Sequence, residues 1–262
     1  QRNPLMGRSI PAATPSTQPA YIYPDGTKST ITTSQGTSCM LMTWELYNEF
    51  KANNNDQRFQ KLVYNGIYTN EYVSVASEEV DVTQEGYTYL PVTLKYFDFG
   101  NEGMTTCACG NDNIIYRFAD VLLMYAEACN ELGEDGTART YLNEVRNRVK
   151  LPAVTSSGNE LRKAIRLERR LELAWEQNRI YDIRRWTDDN GKKMICNLMG
   201  ANGTFVKYNT DPATRDIYEW ENQGEASDKG ISFNENRDMV FPIPLYEITM
   251  SNGSITQNPG WN

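Results

Sequence analysis

The sequence predicts a mostly α-helical fold with long irregular segments and a few short β-strands. Three observations carry that expectation. Apolar residues recur at three- and four-residue steps through Ile115–Trp186, the spacing of buried helix faces. Turn chemistry at Gly133, Glu134–Asp135–Gly136 and Leu151–Pro152 cuts this stretch into three helices. The flanks are rich in Pro, Gly, Ser, Thr and Asn and show little helical period. The organisation expected is a loop-rich segment over 1–114, a helical hairpin with a third helix over 115–186, and a second loop-rich segment over 187–262.

From the N-terminus, Gln1–Ser38 reads as irregular, with a turn at Pro24-Asp25-Gly26 beside Tyr21 and Tyr23. Trp44, Leu46, Tyr47 and Phe50 predict a short amphipathic helix that ends at Asn53-Asn54-Asn55-Asp56. Alternating, β-branched and aromatic residues predict strands within Lys61–Tyr72 and Tyr87–Phe99, with an acidic loop at Glu78, Glu79 and Asp81 between them. Gly100–Asn113 reads as a loop. In the first long helix Phe118, Val121, Leu122, Tyr125, Ala126, Cys129 and Leu132 are expected to form the buried face. Ala138, Tyr141, Leu142, Val145 and Val149 repeat the pattern in the second, with Thr137 as its expected cap. Asn159 is expected to cap the third, which carries Leu161, Ala164, Ile165, Leu171, Ala174 and Trp175. Two amphipathic helices joined by a short turn, with small residues at Ala119, Ala126, Ala128 and Ala138, resemble a tetratricopeptide-type hairpin. Thr187–Asp238 reads as loop with a turn at Asp188-Asp189-Asn190-Gly191, and Leu245-Tyr246-Glu247-Ile248 as one helical turn.

The 262 residues carry a net charge of −8, which argues against nucleic acid, whose phosphates need a basic face. No apolar run is long enough to span a membrane. Of the five cysteines, Cys129 lies on the first helix as a small core residue, and Cys39, Cys107 and Cys109 fall in loops. The Cys107–Cys109 pair lacks a histidine or an evident fourth ligand, so no metal is assigned. Glu168, Arg169, Glu172, Glu176, Arg179, Asp182 and Arg185 make a ladder at helical steps. Paired carboxylates are the tools of glycoside hydrolysis, but here an arginine within reach of each holds its pKa down. An ion-pair network joining the third helix to the hairpin is the expectation, with no catalytic residue and no cofactor.

Several motifs carry a resemblance beyond the hairpin. Arg117-Phe118-Ala119-Asp120-Val121-Leu122-Leu123-Met124-Tyr125-Ala126-Glu127-Ala128, Leu142-Asn143-Glu144-Val145-Arg146-Asn147-Arg148, Glu168-Arg169-Arg170-Leu171-Glu172-Leu173-Ala174-Trp175-Glu176 and Tyr181-Asp182-Ile183-Arg184-Arg185-Trp186 resemble the SusD/RagB family of surface lipoproteins. Phe241-Pro242-Ile243-Pro244 and Gln257-Asn258-Pro259-Gly260-Trp261 look like that family's C-terminal segment. Asp56-Gln57-Arg58 and Lys95-Tyr96 resemble its acidic-arginine and Lys-Tyr positions. The resemblance implies a tetratricopeptide-like, SusD-like fold, a glycan ligand, and a SusC-type TonB-dependent transporter as partner. It also implies an outer-membrane, cell-surface location, with a lipid anchor in an N-terminal part missing here, so that the chain is the C-terminal half of a longer protein. Within the family the RagB branch binds peptides. A tetratricopeptide scaffold that binds only proteins is the competing reading, and a glycosidase the third.

Aromatic residues in polar loops are the lead to a ligand, because sugar C–H faces stack on rings while hydroxyls pair with Asn, Asp, Gln and Arg. Tyr21, Tyr23, Tyr68, Tyr72, Tyr87, Tyr89 and Trp220 fit. Tyr125, Tyr141, Trp175 and Trp186 stand at core spacing and are left out. Arg139 and Arg146, expected on the exposed side of the second helix, are the residues assigned to the transporter.

Overall fold

A computed structural model describes residues 44–53, 55–69, 74–75, 87–93, 95, 114–200 and 233–261. The fold is mostly helical and divides into two compact units, the first ending at Gln177 and the second starting at Asn178.

In the first unit, α1 (Trp44–Lys51) and α2 (Gln57–Leu62) lead into a small antiparallel sheet of β1 (Val63–Thr69), β2 (Ser74–Val75) and β3 (Tyr87–Thr93), in the order β2-β1-β3. The strand expected from Lys61 begins two residues later, because Lys61 and Leu62 close α2. The expected helical hairpin follows as α3 (Phe118–Glu131) and α4 (Asp135–Arg148), with α5 (Gly158–Glu172) packed on both. Leu123, Ala126, Ala138, Leu142, Leu161 and Ile165 form the centre of this core, with Cys129 beside them.

The buried stripe of α3 differs from the expected one. Leu122, Leu123, Ala126 and Cys129 are buried, whereas Phe118, Val121, Tyr125 and Leu132 face outward. Asp120, Glu127 and Asn130 take the inward places instead, because α5 offers them an arginine and backbone groups.

Neither expected cap forms. Thr137 and Asn159 lie inside their helices, and Glu134 and Ser157 take the cap positions without a side-chain bond. The role passes to Asp135, whose carboxylate accepts from the Gly158 amide at 2.7 Å and from Asn130 Nδ2 at 2.8 Å, tying three helix ends together. Those bonds hold its carboxyl below the usual range. Asn143 pins the α4–α5 connection by bonding both backbone groups of Val154, at 2.7 and 3.0 Å.

Helix α4 ends before Pro152 in a Schellman turn: the Leu151 amide donates to Arg146 O at 3.0 Å and the Lys150 amide to Asn147 O at 3.1 Å. Lys150 occupies the left-handed position at φ 65°, where glycine is usual.

The second unit, described over 178–200 and 233–261, contains α6 (Arg179–Arg185), α7 (Met194–Met199), α8 (Glu235–Asp238) and α9 (Leu245–Met250). Helix α7 corrects the all-loop reading of this stretch. The Asp188 turn feeds it: Asp188 Oδ1 accepts from the Asn190 and Lys192 amides at 2.9 Å, and Oδ2 from Asn197 Nδ2 at 2.8 Å. Ile183, Ile195 and Cys196 form the core of this unit. Helix α9 fits the helical turn expected near Leu245. The two C-terminal motifs bond to each other. Gln257 brackets both backbone groups of Ile243 at 2.7 and 2.9 Å, and Asn258 Nδ2 donates to Phe241 O at 2.7 Å. Gly260, at φ 82°, lets the chain pass Arg237, whose Cβ would lie 2.9 Å from an added Cβ.

Lys150→Gly should stabilise the fold by about 0.5 kcal/mol. The left-handed cost removed is about 1–2 kcal/mol, and the flexibility glycine adds to the unfolded chain returns about 0.5–1 kcal/mol of it. Urea unfolding of the two proteins reads the difference, and a lowered midpoint would show that the lysine side chain contributes more than its backbone costs.

Candidate functional site

Helix α5 ends in the densest group of charges among the described residues. Its helical run stops at Glu172, and Trp175 and Gln177 then take left-handed φ values of 65° and 63°. The ladder expected to continue along one helix is therefore broken. Glu168, Arg169, Glu172 and Glu176 belong to the first unit, and Arg179, Asp182 and Arg185 to the second.

Arg58 donates to both oxygens of Asp56, at 3.0 Å from Nε and 2.7 Å from Nη2. Its Nη1 lies 2.7 Å from both Glu168 Oε1 and Glu172 Oε2. The other Glu172 oxygen takes Arg148 Nη2 at 2.5 Å and Arg117 Nη1. Arg117 also forks onto Glu176, with Nε 2.8 Å from Oε2. Glu168 pairs further with Arg146 at 2.9 Å, and Arg169 with Asp120 at 2.9 Å. Lys95 caps the end of α5, donating to Glu172 O at 2.7 Å and Ala174 O at 2.9 Å while pairing with Glu176.

Burial alone would push the Glu172 carboxyl up, but Arg117, Arg58 and Arg148 together hold it below the usual range. Burial also opposes the charge on Arg58, which Asp56, Glu168 and Glu172 more than restore. A carboxylate held ionised in this way is a poor general acid, which glycoside hydrolysis requires. A cavity of about 220 Å3 opens beside Glu172, lined in part by Phe50, Lys95, Arg117, Arg148 and Trp175. Each of its cations already has an internal acceptor. The group joins α5 to the hairpin and to α2, and is a clamp between elements.

The ligand-contact residues expected from sequence are only partly placed. Tyr21, Tyr23, Tyr72 and Trp220 lie outside the described residues. Tyr68, Tyr87 and Tyr89 fall on the paired strands β1 and β3, where the register matches Tyr68 with Thr88, Thr69 with Tyr87 and Ile67 with Tyr89. The strands thus gather three of the seven along one ladder. Of the aromatics set aside as core, Trp186 is buried, Tyr141 and Trp175 are half-buried and Tyr125 is exposed. Tyr125 meets Tyr141 edge to face, with centroids 4.7 Å apart. Arg139 is half-buried and donates to Ser156 O and Ser157 Oγ. Arg146 is not on an exposed face: Glu168 and Pro152 O at 2.9 Å hold it within the fold. The contributions of Arg58 and Lys95 to the clamp had a signal in the sequence, the acidic-arginine and Lys-Tyr positions, but their distance from α5 in the chain hid the partner.

Glu172→Gln should destabilise the protein by roughly 3–5 kcal/mol, since it takes one negative charge from the buried Arg58 and the half-buried Arg117. Calorimetry or urea unfolding measures the loss, and a change below about 1 kcal/mol would mean the clamp is solvated. Lys95 gives the pH dependence. Burial pushes its amine down to about 8, with Glu176 pulling the other way, against 10.5 when unexposed to the fold. Between these values the unfolded chain binds more protons than the folded one, so stability should rise with pH across that window. Lys95→Met should lose this rise, and identical pH profiles for variant and wild type would contradict the assignment.

The profile of the SusD family matches residues 12–261. SusD-like protein P2 of Formosa agariphila is 30% identical over 185 residues, covering 65% of this chain and 30% of its own length. A solved SusD-like protein from Bacteroides fragilis superposes with a TM-score of 0.52 at 25% identity, over 92% of this chain and 45% of its own. A surface glycan-binding protein A from Bacteroides uniformis gives 0.57 at 21% identity, over 98% and 47%, a likeness of fold. This chain therefore spans about a third of that curated relative and about half of those solved structures. With the family profile matched along nearly its whole length, the chain belongs to the SusD family.

Proposed function

We propose that the protein is a non-catalytic nutrient-capture protein of the outer-membrane surface. It binds a glycan and hands it to a SusC-type TonB-dependent transporter. The observation that carries this reading is membership of the SusD family over residues 12–261, with a fold shared with a protein named as a surface glycan-binding protein. The clamp around Glu172 supports the non-catalytic part, since its acids are occupied by arginines. A lipid anchor in a part of the protein beyond this chain would hold it at the membrane; no described helix is long and apolar enough to cross one.

Tyr21, Tyr23, Tyr68, Tyr72, Tyr87, Tyr89 and Trp220 supply the stacking faces in this reading. Arg139, which keeps part of its surface open on α4, supplies charge toward the transporter. Its charge reversal should weaken transporter co-purification and leave glycan binding intact, more so at low salt than at high.

The test is a panel of glycans and peptides against the full-length protein, read by retardation in native affinity gels. One or more glycans should retard the protein and remain unshortened after incubation. Tyr68→Ala or Trp220→Ala should then weaken binding by about 30-fold, the equivalent of ~2 kcal/mol for a central contact. Retardation by peptides alone would move the protein to the RagB-type reading. Binding of neither, with capture of proteins only, would leave a tetratricopeptide-like scaffold.

A further inference from the structure

An asparagine carboxamide is open to attack by the backbone nitrogen of the next residue. The attack is easiest before glycine, which sets no Cβ in the way and turns freely. The described residues contain three Asn-Gly pairs: Asn65–Gly66, Asn190–Gly191 and Asn252–Gly253. In two of them the glycine amide is already engaged. Asn65 stands opposite Pro91, which has no N–H, so theirs is a pair without mutual hydrogen bonds. Such pairs alternate along an antiparallel ladder, so the next one, Gly66 with Leu90, is hydrogen-bonded. The Gly191 amide donates to Asp188 O at 3.0 Å. Its turn is tied further, because Asp188 Oδ1 accepts from the Asn190 and Lys192 amides and the Asp188 amide donates to Lys192 O.

Asn252–Gly253 differs in each respect. Both residues are exposed in the turn after α9, at φ 50° and 86°. Among the described residues the Gly253 amide has no acceptor and the Asn252 carboxamide has no partner. A Cβ added at Gly253 would meet nothing within 4 Å. Two bonds close over the pair, from the Ser254 amide to Ser251 O at 3.1 Å and from the Ile255 amide to Ser251 Oγ at 3.0 Å. Neither of them uses the reacting nitrogen.

We infer that Asn252 is a site of spontaneous modification, deamidating through a succinimide to isoaspartate and aspartate, while the fold protects Asn65 and Asn190. The Gly253 amide gives its proton to hydroxide, and its nitrogen bonds to Asn252 Cγ. The carboxamide nitrogen takes up a proton and leaves as ammonia. The ring so closed contains Asn252 Cα, Cβ, Cγ and C and the Gly253 nitrogen. Water then adds at one of its two carbonyl carbons. Addition at Cγ breaks the new Cγ–N bond and leaves aspartate. Addition at the backbone carbon breaks the original peptide bond, and the chain runs on through Cγ as isoaspartate. Nothing is oxidised or reduced: water enters and ammonia departs. Isoaspartate lengthens by a carbon the path from α9 to Gln257, whose bonds to Ile243 hold the C-terminal segment.

The test incubates the full-length protein in mildly alkaline buffer, folded and in urea, and follows the peptides of the three pairs by mass spectrometry. Conversion is read from the mass gained when oxygen replaces the carboxamide nitrogen, and electron-transfer fragmentation separates isoaspartate from aspartate. In the folded protein Asn252 should convert at least about 10-fold faster than Asn190 or Asn65, whose glycine amides are released only by local opening. In urea the three rates should draw together, since each then belongs to an unrestrained Asn-Gly pair. A folded-state rate at Asn190 or Asn65 that matches Asn252 would overturn the inference. So would an Asn252 that converts in urea and is stable in the folded protein. Rates that keep their folded-state spread in urea would show that the neighbouring sequence, and not the fold, selects the site.

Discussion

One carboxylate fixes the first unit. Glu172 sits at the end of α5 and receives guanidinium groups from three other places: Arg58 on α2, Arg117 before α3 and Arg148 at the end of α4. Lys95, just past β3, closes the same helix end through backbone carbonyls. Each cation comes from a different element, so a shift of any of them takes a partner from the buried Glu172 end of α5. Removing ions from water costs several kcal/mol each, and mutual attraction largely offsets that cost. The clamp therefore adds little net stability compared with an apolar core of the same volume. What it does impose is one arrangement of elements. At the opposite end of α5, Asp135 and Asn130 perform a similar service with weaker, more exposed bonds to Gly158. The apolar core between these two ends is held at fixed length.

Helices α1, α3, α4, α5 and α9 were legible in the sequence, but the orientation of the long ones was only partly so. In α4 and α5 the apolar residues occur once per turn, and period alone finds the inner face. Helix α3 has apolar residues on two sides, so two stripes satisfy the same spacing. The usual tie-breaker, charge outward, gives the wrong choice, because Asp120 and Glu127 turn in toward Arg169. That pairing joins residues 49 apart in the chain, which no local pattern reports. The caps failed for a related reason. Thr137 and Asn159 have the right chemistry, yet Asp135 serves the start of α5 from another helix. Helix α7 was missed because its packing partners, Phe233 and Met239, lie far along the chain.

The same geometry explains why the family was easy to read and the ligand was not. Arg117 and Asp120, Arg146 and Arg148, and Glu168, Arg169, Glu172 and Glu176 stand in three separate motifs of the sequence. In the structure they are the facing sides of the ion pairs that join α5 to the hairpin. The C-terminal motifs behave alike, with Gln257 and Asn258 bonded to the backbone of Ile243 and Phe241. What identifies the chain is therefore its scaffold, a set of residues that must match one another. A stacking surface carries no such mutual requirement. On the proposed reading a tyrosine on β1 or β3 would bind a ring by its face, and its neighbours would need only to leave it room.

This division of labour suits capture on the proposed reading. Sugars are held by shallow stacking and by hydroxyl bonds exchanged with water, so little affinity is available from each contact. Under such conditions the cost of ordering the binding surface decides whether binding is observed at all. A framework that allows one arrangement removes most of that cost before the ligand arrives. A buried arginine left without its partner is penalised steeply, so these charge pairs resist displacement. The clamp lies among helix ends and the ladder of β1 and β3 leaves the same unit through Thr93 and Lys95. Lys95, which bonds Glu172 O, stands two residues beyond the end of β3 and so ties that strand to the clamp.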